Sequence, residues 1–354
     1  VDSSATSLTG YGARLWLHRQ QGGFLFNSAV GLLSPGFDVN DMGYQSRADV
    51  VNGHLGMGYA WNRPNRWWRR AWAVGAFYDS HDFGGNRTST GFYASTEARL
   101  VNNTVVHLNV NPFLAALDGR RTRGGPLVRL PEGLAGDLSA STDPTRRLAY
   151  GVEMSGYRRP TTDAYTWSVG TSVTWKPVPS LALGVGPGYE RVLEDAQYVT
   201  SVFDPENVPA DFGGFHYVFA RLDQRTVSAN IRCNVSFTPN LSLQTYLQPL
   251  ISAGRYTDFK ELARSRSYDF IHYASAAEVP GAPPDPSFNF KSLRGNAVLR
   301  WEYRPGSVLY LVWTQQRTDV EFDGELALGP STRRLLDAQA DDVFMVKVTY
   351  HLGL

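Results

Sequence analysis

Between residues 227 and 251 apolar side chains occupy every second position on both sides of a single break. Val227, Ala229, Ile231, Cys233, Val235 and Phe237 alternate with Ser228, Asn230, Arg232, Asn234 and Ser236. After Thr238-Pro239-Asn240, Leu241, Leu243, Thr245, Leu247, Pro249 and Ile251 alternate with Ser242, Gln244, Tyr246 and Gln248. A period of two puts each set on its own face of a strand, and turn residues at the break predict a β-hairpin. What the apolar face meets, a soluble core or lipid, decides the class of protein.

The same pattern recurs along the chain and predicts strands over 8–18, 24–33, 47–61, 70–80, 89–101, 104–117, 133–142, 147–158, 164–176, 181–194, 215–237, 241–257, 289–303, 308–320 and 343–354. No amphipathic helix stands out. Short turns at 20–23, 63–69, 102–103, 143–146, 177–180, 238–240 and 305–307 are interleaved with long connections, among them "SPGFDVNDMGY", "DGRRTRGGPLVRLPEG", "DPENVPADFGGF", residues 261–287 and "DGELALGPSTRRLLDAQADD". Short connections on one rim and long ones on the other are the habit of outer-membrane barrels. The expected fold is therefore all-β, a transmembrane antiparallel up-and-down outer-membrane β-barrel with about 15–16 strands visible, forming a single domain over residues 1–354. A soluble β-sandwich binding module is the alternative.

Composition sharpens this choice. No run of ~18 apolar residues exists, which excludes transmembrane helices but not barrel strands, where only alternate residues face lipid. A net charge of +1 gives no support for a nucleic-acid partner. The one cysteine, Cys233, has no internal disulfide partner and reads as a small lipid-facing residue. Only four basic residues are lysine (Lys176, Lys260, Lys291 and Lys347), and the polar faces carry Ser, Thr, Asn, Gln and Gly where a soluble sandwich would carry Lys and Glu.

The expected lipid faces carry no formal charge: Val51, Gly53, Leu55, Met57, Tyr59 and Trp61 in one strand, and Tyr165, Trp167, Val169, Thr171, Val173 and Trp175 in another. Arg or Lys there would cost roughly 2–4 kcal/mol at the bilayer midplane. Trp61, Trp67, Trp68, Trp72, Trp175, Trp301 and Tyr303 gather at strand ends beside short turns, as an interfacial aromatic girdle would. The chain ends "VFMVKVTYHLGL", with Val346, Val348, Tyr350, Leu352 and Leu354 on one face, which looks like the C-terminal strand read by the outer-membrane assembly machinery. Those strands usually end on an aromatic residue, and Leu354 departs from that. If this end and the short turns are both periplasmic, the first strand runs inward. An even, closed barrel then needs at least one strand before Val1, so the chain is expected to be the C-terminal part of a longer protein.

Taking the polar faces inward puts Arg14, His18, His54, Glu97, Arg99, Glu153, Arg232, Arg300, Glu302 and Lys347 in the lumen. They could line a water-filled path or pair with one another and close it. A hydrolytic alternative rests on "FYDSHDFGG", where Asp79, His81 and Asp82 could activate water, although no second acidic pair or serine-hydrolase motif accompanies them. In "DVNDMG", Asp38, Asn40 and Asp41, with Asp49 further on, superficially resemble a calcium loop, but Met42 takes an oxygen-donor position and turn chemistry alone accounts for the residues. Asp319, Glu321 and Asp323 could hold a divalent cation or simply end a solvated strand. The loop arginines Arg120, Arg121, Arg123, Arg129, Arg264, Arg266, Arg333 and Arg334 suit phosphates of lipopolysaccharide, and equally the ordinary solubility of exposed loops.

Several stretches carry a family resemblance: "TSLTGYGARLWLHRQ", "LLSPGFDVNDMGYQSRAD", "QYVTSVFD" with "YVFARLDQRTVS", "SFTPNLSLQTYLQPLISAGRYTDFKEL" and "FNFKSLRGNAVLRWEYRPGSVLYLVWTQ". Together they resemble the C-terminal barrel region of the outer-membrane family catalogued as domain of unknown function 5916. The resemblance implies a carbohydrate-binding-module-like domain of the family 9 type preceding a longer barrel. Glycans as partners would belong to that domain and are not carried onto these residues. The barrel reading and the resemblance together imply outer-membrane lipid as partner and a Gram-negative-type outer membrane as location. The resemblance brings no established activity and no cofactor. The expected function is a porin-like conduit or an anchoring scaffold for the carbohydrate-binding domain.

Overall fold

The structure, a computed structural model, describes residues 7, 9–19, 21–281 and 284–352. Its strands in chain order are β1 (Gly12–Arg19), β2 (Phe24–Leu33), β3 (Val50–Trp61), β4 (Trp68–His81), β5 (Arg87–Leu100), β6 (Val105–Phe113), β7 (Ala116–Asp118), β8 (Val128–Leu130) and β9 (Gly133–Ser141). There follow β10 (Leu148–Arg158), β11 (Tyr165–Val178), β12 (Leu181–Phe203), β13 (Phe215–Thr238), β14 (Leu241–Leu262), β15 (Phe270–His272), β16 (Phe288–Arg304), β17 (Ser307–Glu321) and β18 (Ala340–Thr349). One α-helix, α1 (Leu328–Asp337), precedes β18.

Sixteen strands form a single sheet in which each long strand pairs antiparallel with its neighbours in sequence; β15 is a short addition to β14, and β7 and β8 pair only with each other. The fifteen strands of the main path match the fifteen predicted ones. The two-sheet sandwich is not what the chain forms, because its strands join one continuous path. Among the described residues β1 and β18 are not hydrogen-bonded to each other.

Register partners share a face, so pairing can be followed across the sheet. Phe24, at the short-connection end of β2, leads through Tyr59, Ala73, Thr96, Leu108, Leu138, Met154, Val169, Tyr189, Val227 and Ile251 to Lys291, near the long-connection end of β16. The row climbs from one rim to the other, so the strands are strongly staggered. Connections on one rim are all short (62–67, 179–180, 239–240 and 305–306 among them); the long ones (34–49, 114–132, 204–214, 263–287 and 322–339) all lie on the other rim, together with the short 82–86 and 159–164.

β12, β13 and β14 run for 23, 24 and 22 residues, whereas a tilted strand needs about 9–11 to cross a bilayer. β12 and β14 continue beyond the expected ends at 194 and 257 through bulges, one of them at Asp258 with φ 51°. The two buried apolar clusters form where the connections pack on this extension: Val128 and Phe212 against Tyr217 and Phe219 on one face, Val279 with Val218, Ala220 and Phe259 on the other. Away from it, large apolar residues of one face stand exposed, including Tyr150 at 60%, Met57 at 54% and Trp175 at 50%.

The helix was not anticipated. Its ten residues bury only Ser331 and Leu335, one turn apart, and Ser331 Oγ accepts a hydrogen bond from Asn289 Nδ2 at 3.2 Å. The last strand stops at Thr349, short of the expected end, and Leu354 lies outside the described residues. Among the described residues no helix is long and apolar enough to cross a membrane.

Candidate functional site

The residues predicted to line a lumen do share one face of the sheet. Arg232 pairs in register with Gly184 and Tyr246; Arg300 with Ser242 and Tyr310; Tyr310 with Lys347; Glu302 with Val308. Glu153 pairs with Ser139, Ser139 with His107 and His107 with Glu97, and the same face continues to Arg99, His54, His18 and Arg14. Gly170, Gly184, Gly186 and Gly188 leave a groove of about 500 Å³ between Glu153 and Arg232.

These charges are only sparsely neutralised. Arg300 Nη2 donates to Glu302 Oε2 at 2.9 Å. The Arg232 guanidinium instead lies over the Tyr246 ring at 5.2 Å, and Lys347 over Tyr310 at 6.0 Å. Among the described residues Arg14, Glu97, Arg99, Glu153, Arg232 and Lys347 have no ion-pair partner. An unpaired charge persists only where water reaches it, so this face behaves as a solvated surface.

The structure adds residues to it that the alternation did not single out. Trp16 stacks on His18 at 5.0 Å and donates to Asn27 Oδ1, which also bonds His54 at 2.8 Å. Asp137 accepts from Asn109 at 3.0 Å and sits 3.6 Å from His107. Trp72 also belongs here, which corrects its place in the aromatic girdle. A bulge between Trp68 and Arg70 puts these two on opposite faces, and Trp72 then pairs with Glu97 and packs 6.0 Å from His107. Trp61 and Trp68 pack at 6.3 Å and Trp301 and Tyr303 at 6.0 Å on the apolar side, with Trp175 in register with Leu148 and Leu183. Trp67 lies in the connection beside them, under Arg66.

The other candidates are distributed differently. Asp79 and His81 meet at 3.0 Å, but on the apolar side of β4, where Thr90 also donates to Asp79. In register Asp79 faces Gly53 and Thr90, with no acidic residue opposite, while Asp82 is bonded to Asn86 within its turn. Asp38 accepts from the Asn40 amide at 2.9 Å and Asn40 from Gln45, closing local turns, while Asp49 accepts from the Phe83 amide at 2.9 Å and ties this connection to the 82–86 turn. The Asp41 side chain appears in none of these bonds. Among the described residues no three His, Cys, Asp or Glu side chains are grouped to hold a metal ion. Asp319 and Glu321 receive Lys291 Nζ at 2.7 Å each, and Asp323 lies past the end of β17.

Three buried basic side chains gather carboxylates, most of them remote in sequence. Lys291 is one. Lys260 bonds Asp258 at 3.1 Å and reaches Asp195 at 3.4 Å. His216 contacts Glu261 through Nδ1 and stands 3.6 Å from Asp204. A hydrogen bond from Asn207, aided by His216, holds the Asp204 carboxyl below its ordinary value against partial desolvation. Several loop arginines are internal ties: Arg121 bonds Glu194 at 3.1 Å, Arg120 the Ser46 carbonyl, and Arg334 approaches Glu321 at 3.0 Å.

A search of the curated proteins found no match. A family model described as Domain of unknown function (DUF5916) matches residues 1–354, and the chain belongs to that family.

Proposed function

We propose that this chain forms the wall of an outer-membrane β-barrel and that its polar face lines an aqueous conduit in a Gram-negative-type outer membrane. The observation that carries this reading is the sorting of the sheet. Sparsely paired charges and the groove glycines share one face, and most exposed Leu, Val, Met and Trp side chains, with Trp16, Val343 and Met345 as exceptions, share the other. A soluble monomer rarely leaves apolar patches beyond a few hundred Å² uncovered. In a barrel, lipid covers them. The stagger of the pairing supports the same reading, because closing a sheet requires tilted strands with a fixed shear.

Single-channel recording of the detergent-purified protein in a planar bilayer tests the conduit. Stable conductance steps whose size or ion preference changes in Arg232→Ala or Arg300→Ala are expected, because both side chains lie on the polar face. A protein that inserts but stays silent would overturn the conduit and leave an anchoring scaffold for a carbohydrate-binding domain.

A further inference from the structure

On the apolar side of the sheet, above the band of exposed hydrophobic residues, charge begins abruptly and in register. Met154, Val169, Tyr189, Val227 and Ile251, consecutive in the row that ends at Lys291, are uncharged. The next row toward the long connections runs Gly156, Trp167, Arg191, Arg225 and Ala253. The one after it runs Arg158, Tyr165, Leu193, Asp223 and Arg255. These rows, with Arg221 above them and residues 324–326 of the last long connection beside them, enclose a depression of about 1040 Å³.

Five arginines and three carboxylates line it. Asp223 is shared, receiving Arg191 through two bonds of 3.1 and 3.0 Å and Arg225 at 3.2 Å. Arg221 reaches Asp163 at 3.2 Å and Arg255 reaches Glu325 at 2.7 Å. Arg158 is exposed and has no carboxylate partner among the described residues. Positive charge is therefore in excess, and each guanidinium has more donors than its carboxylate uses. Guanidinium groups match phosphate in bidentate geometry.

The geometry points to a binding site for the phosphate-bearing headgroup of an outer-leaflet glycolipid, with its acyl chains lying on the apolar rows directly below. The assignment rests on the barrel reading above. It commits to a lipid, not a free anion, because the arginines border the uncharged rows on the same face: acyl chains and headgroup would meet both surfaces at once.

The test reconstitutes the protein in vesicles containing a bisphosphorylated diglucosamine lipid, or the same lipid after dephosphorylation. Retained lipid is read by native mass spectrometry. Wild-type protein should retain the phosphorylated lipid at least tenfold more strongly. The double variant Arg158→Gln/Arg225→Gln should lose that preference, whereas Arg147→Gln, which breaks a bond to the Pro177 carbonyl on the opposite rim, should keep it. Equal retention of both lipids, or a double variant equal to wild type, overturns the site. Inorganic pyrophosphate binding as tightly as the lipid overturns the lipid assignment in favour of a free anion. Protease protection in the same vesicles separates the two levels. A protected protein indifferent to phosphate refutes the site alone, and a protein digested throughout refutes the barrel and the site together.

Discussion

Lys291 is fully buried, and its ammonium is shared between Asp319 and Glu321 while Arg334 closes the cluster from α1. Removing one partner of a buried ion pair costs about 3–5 kcal/mol because the remaining charges lose their compensation. Lys291→Met should therefore lower stability in urea by that order, and adding Asp319→Asn and Glu321→Gln should recover part of the loss; a triple variant no better than the single one would refute this account. Asp143 makes a pH-dependent contribution on the opposite rim. Hydrogen bonds from Thr145 and from Asn103, which belongs to a neighbouring turn, bring its carboxyl down to about 2 from 3.8. A depressed folded value means stabilisation present above the unfolded value and lost as pH falls through the folded one. The stability gap between wild type and Asp143→Asn should be constant above about pH 5 and shrink progressively from there to about pH 1, as urea titrations at stepped pH would record. A gap undiminished at pH 2 would exclude the linkage.

At the scale of elements, α1 is too short to persist by itself, since isolated helices below about 12–15 residues are marginal in water. It is held by Leu335 and Ser331 on one face and by Arg317, whose Nη1 reaches the Ala338 carbonyl at 3.1 Å past the helix end. Leu335→Ala should free this segment, giving amide exchange at least tenfold faster over residues 328–337 while β16 and β17 keep their protection; loss of protection throughout would show that the helix also supports the sheet. The sequence concealed this helix because its contacts are distant: Ser331 becomes a buried residue only beside Asn289. The main strands were legible for the converse reason, since a period of two is a local property that Val227 to Ile251 displays without knowledge of any partner. Trp72 marks the limit of that logic. Simple alternation gives Trp68 and Trp72 one face, and the bulge that parts them has no signature in the intervening residues. The arginine depression was hidden in another way. Arg158 comes to one depression with Asp223 and Arg255 only when all the strands from β10 to β14 are set in register, although the switch from Val227 to Arg225, Asp223 and Arg221 at one parity already marks where β13 leaves its apolar band.

For the whole molecule, everything proposed depends on the two sheet faces meeting different solvents, and adjacent residues can test that. Thr171 and Ser172 lie in β11 on opposite faces, in register with Val152 and Gly151 respectively. Thr171 falls midway between Trp167 and Trp175 on the apolar face, and Ser172 borders the groove that also contains Glu153 and Arg232. If lipid covers the first face, Thr171→Arg should cost about 2–4 kcal/mol in folding into phospholipid vesicles, the penalty of a cation near the bilayer midplane. Ser172→Arg should leave that free energy nearly unchanged and instead shift conductance or ion preference, because it adds a charge to a surface already wet. The segment around Val279 packs against Val218 and Ala220 on the polar side at the long-connection end. The conduit is thus expected to narrow there, and the effect of Ser172→Arg on current should be smaller than that of a charge placed at Gln224, nearer the constriction. Equal folding penalties for Thr171→Arg and Ser172→Arg would mean that both faces meet the same medium, and the barrel reading would fall with the conduit.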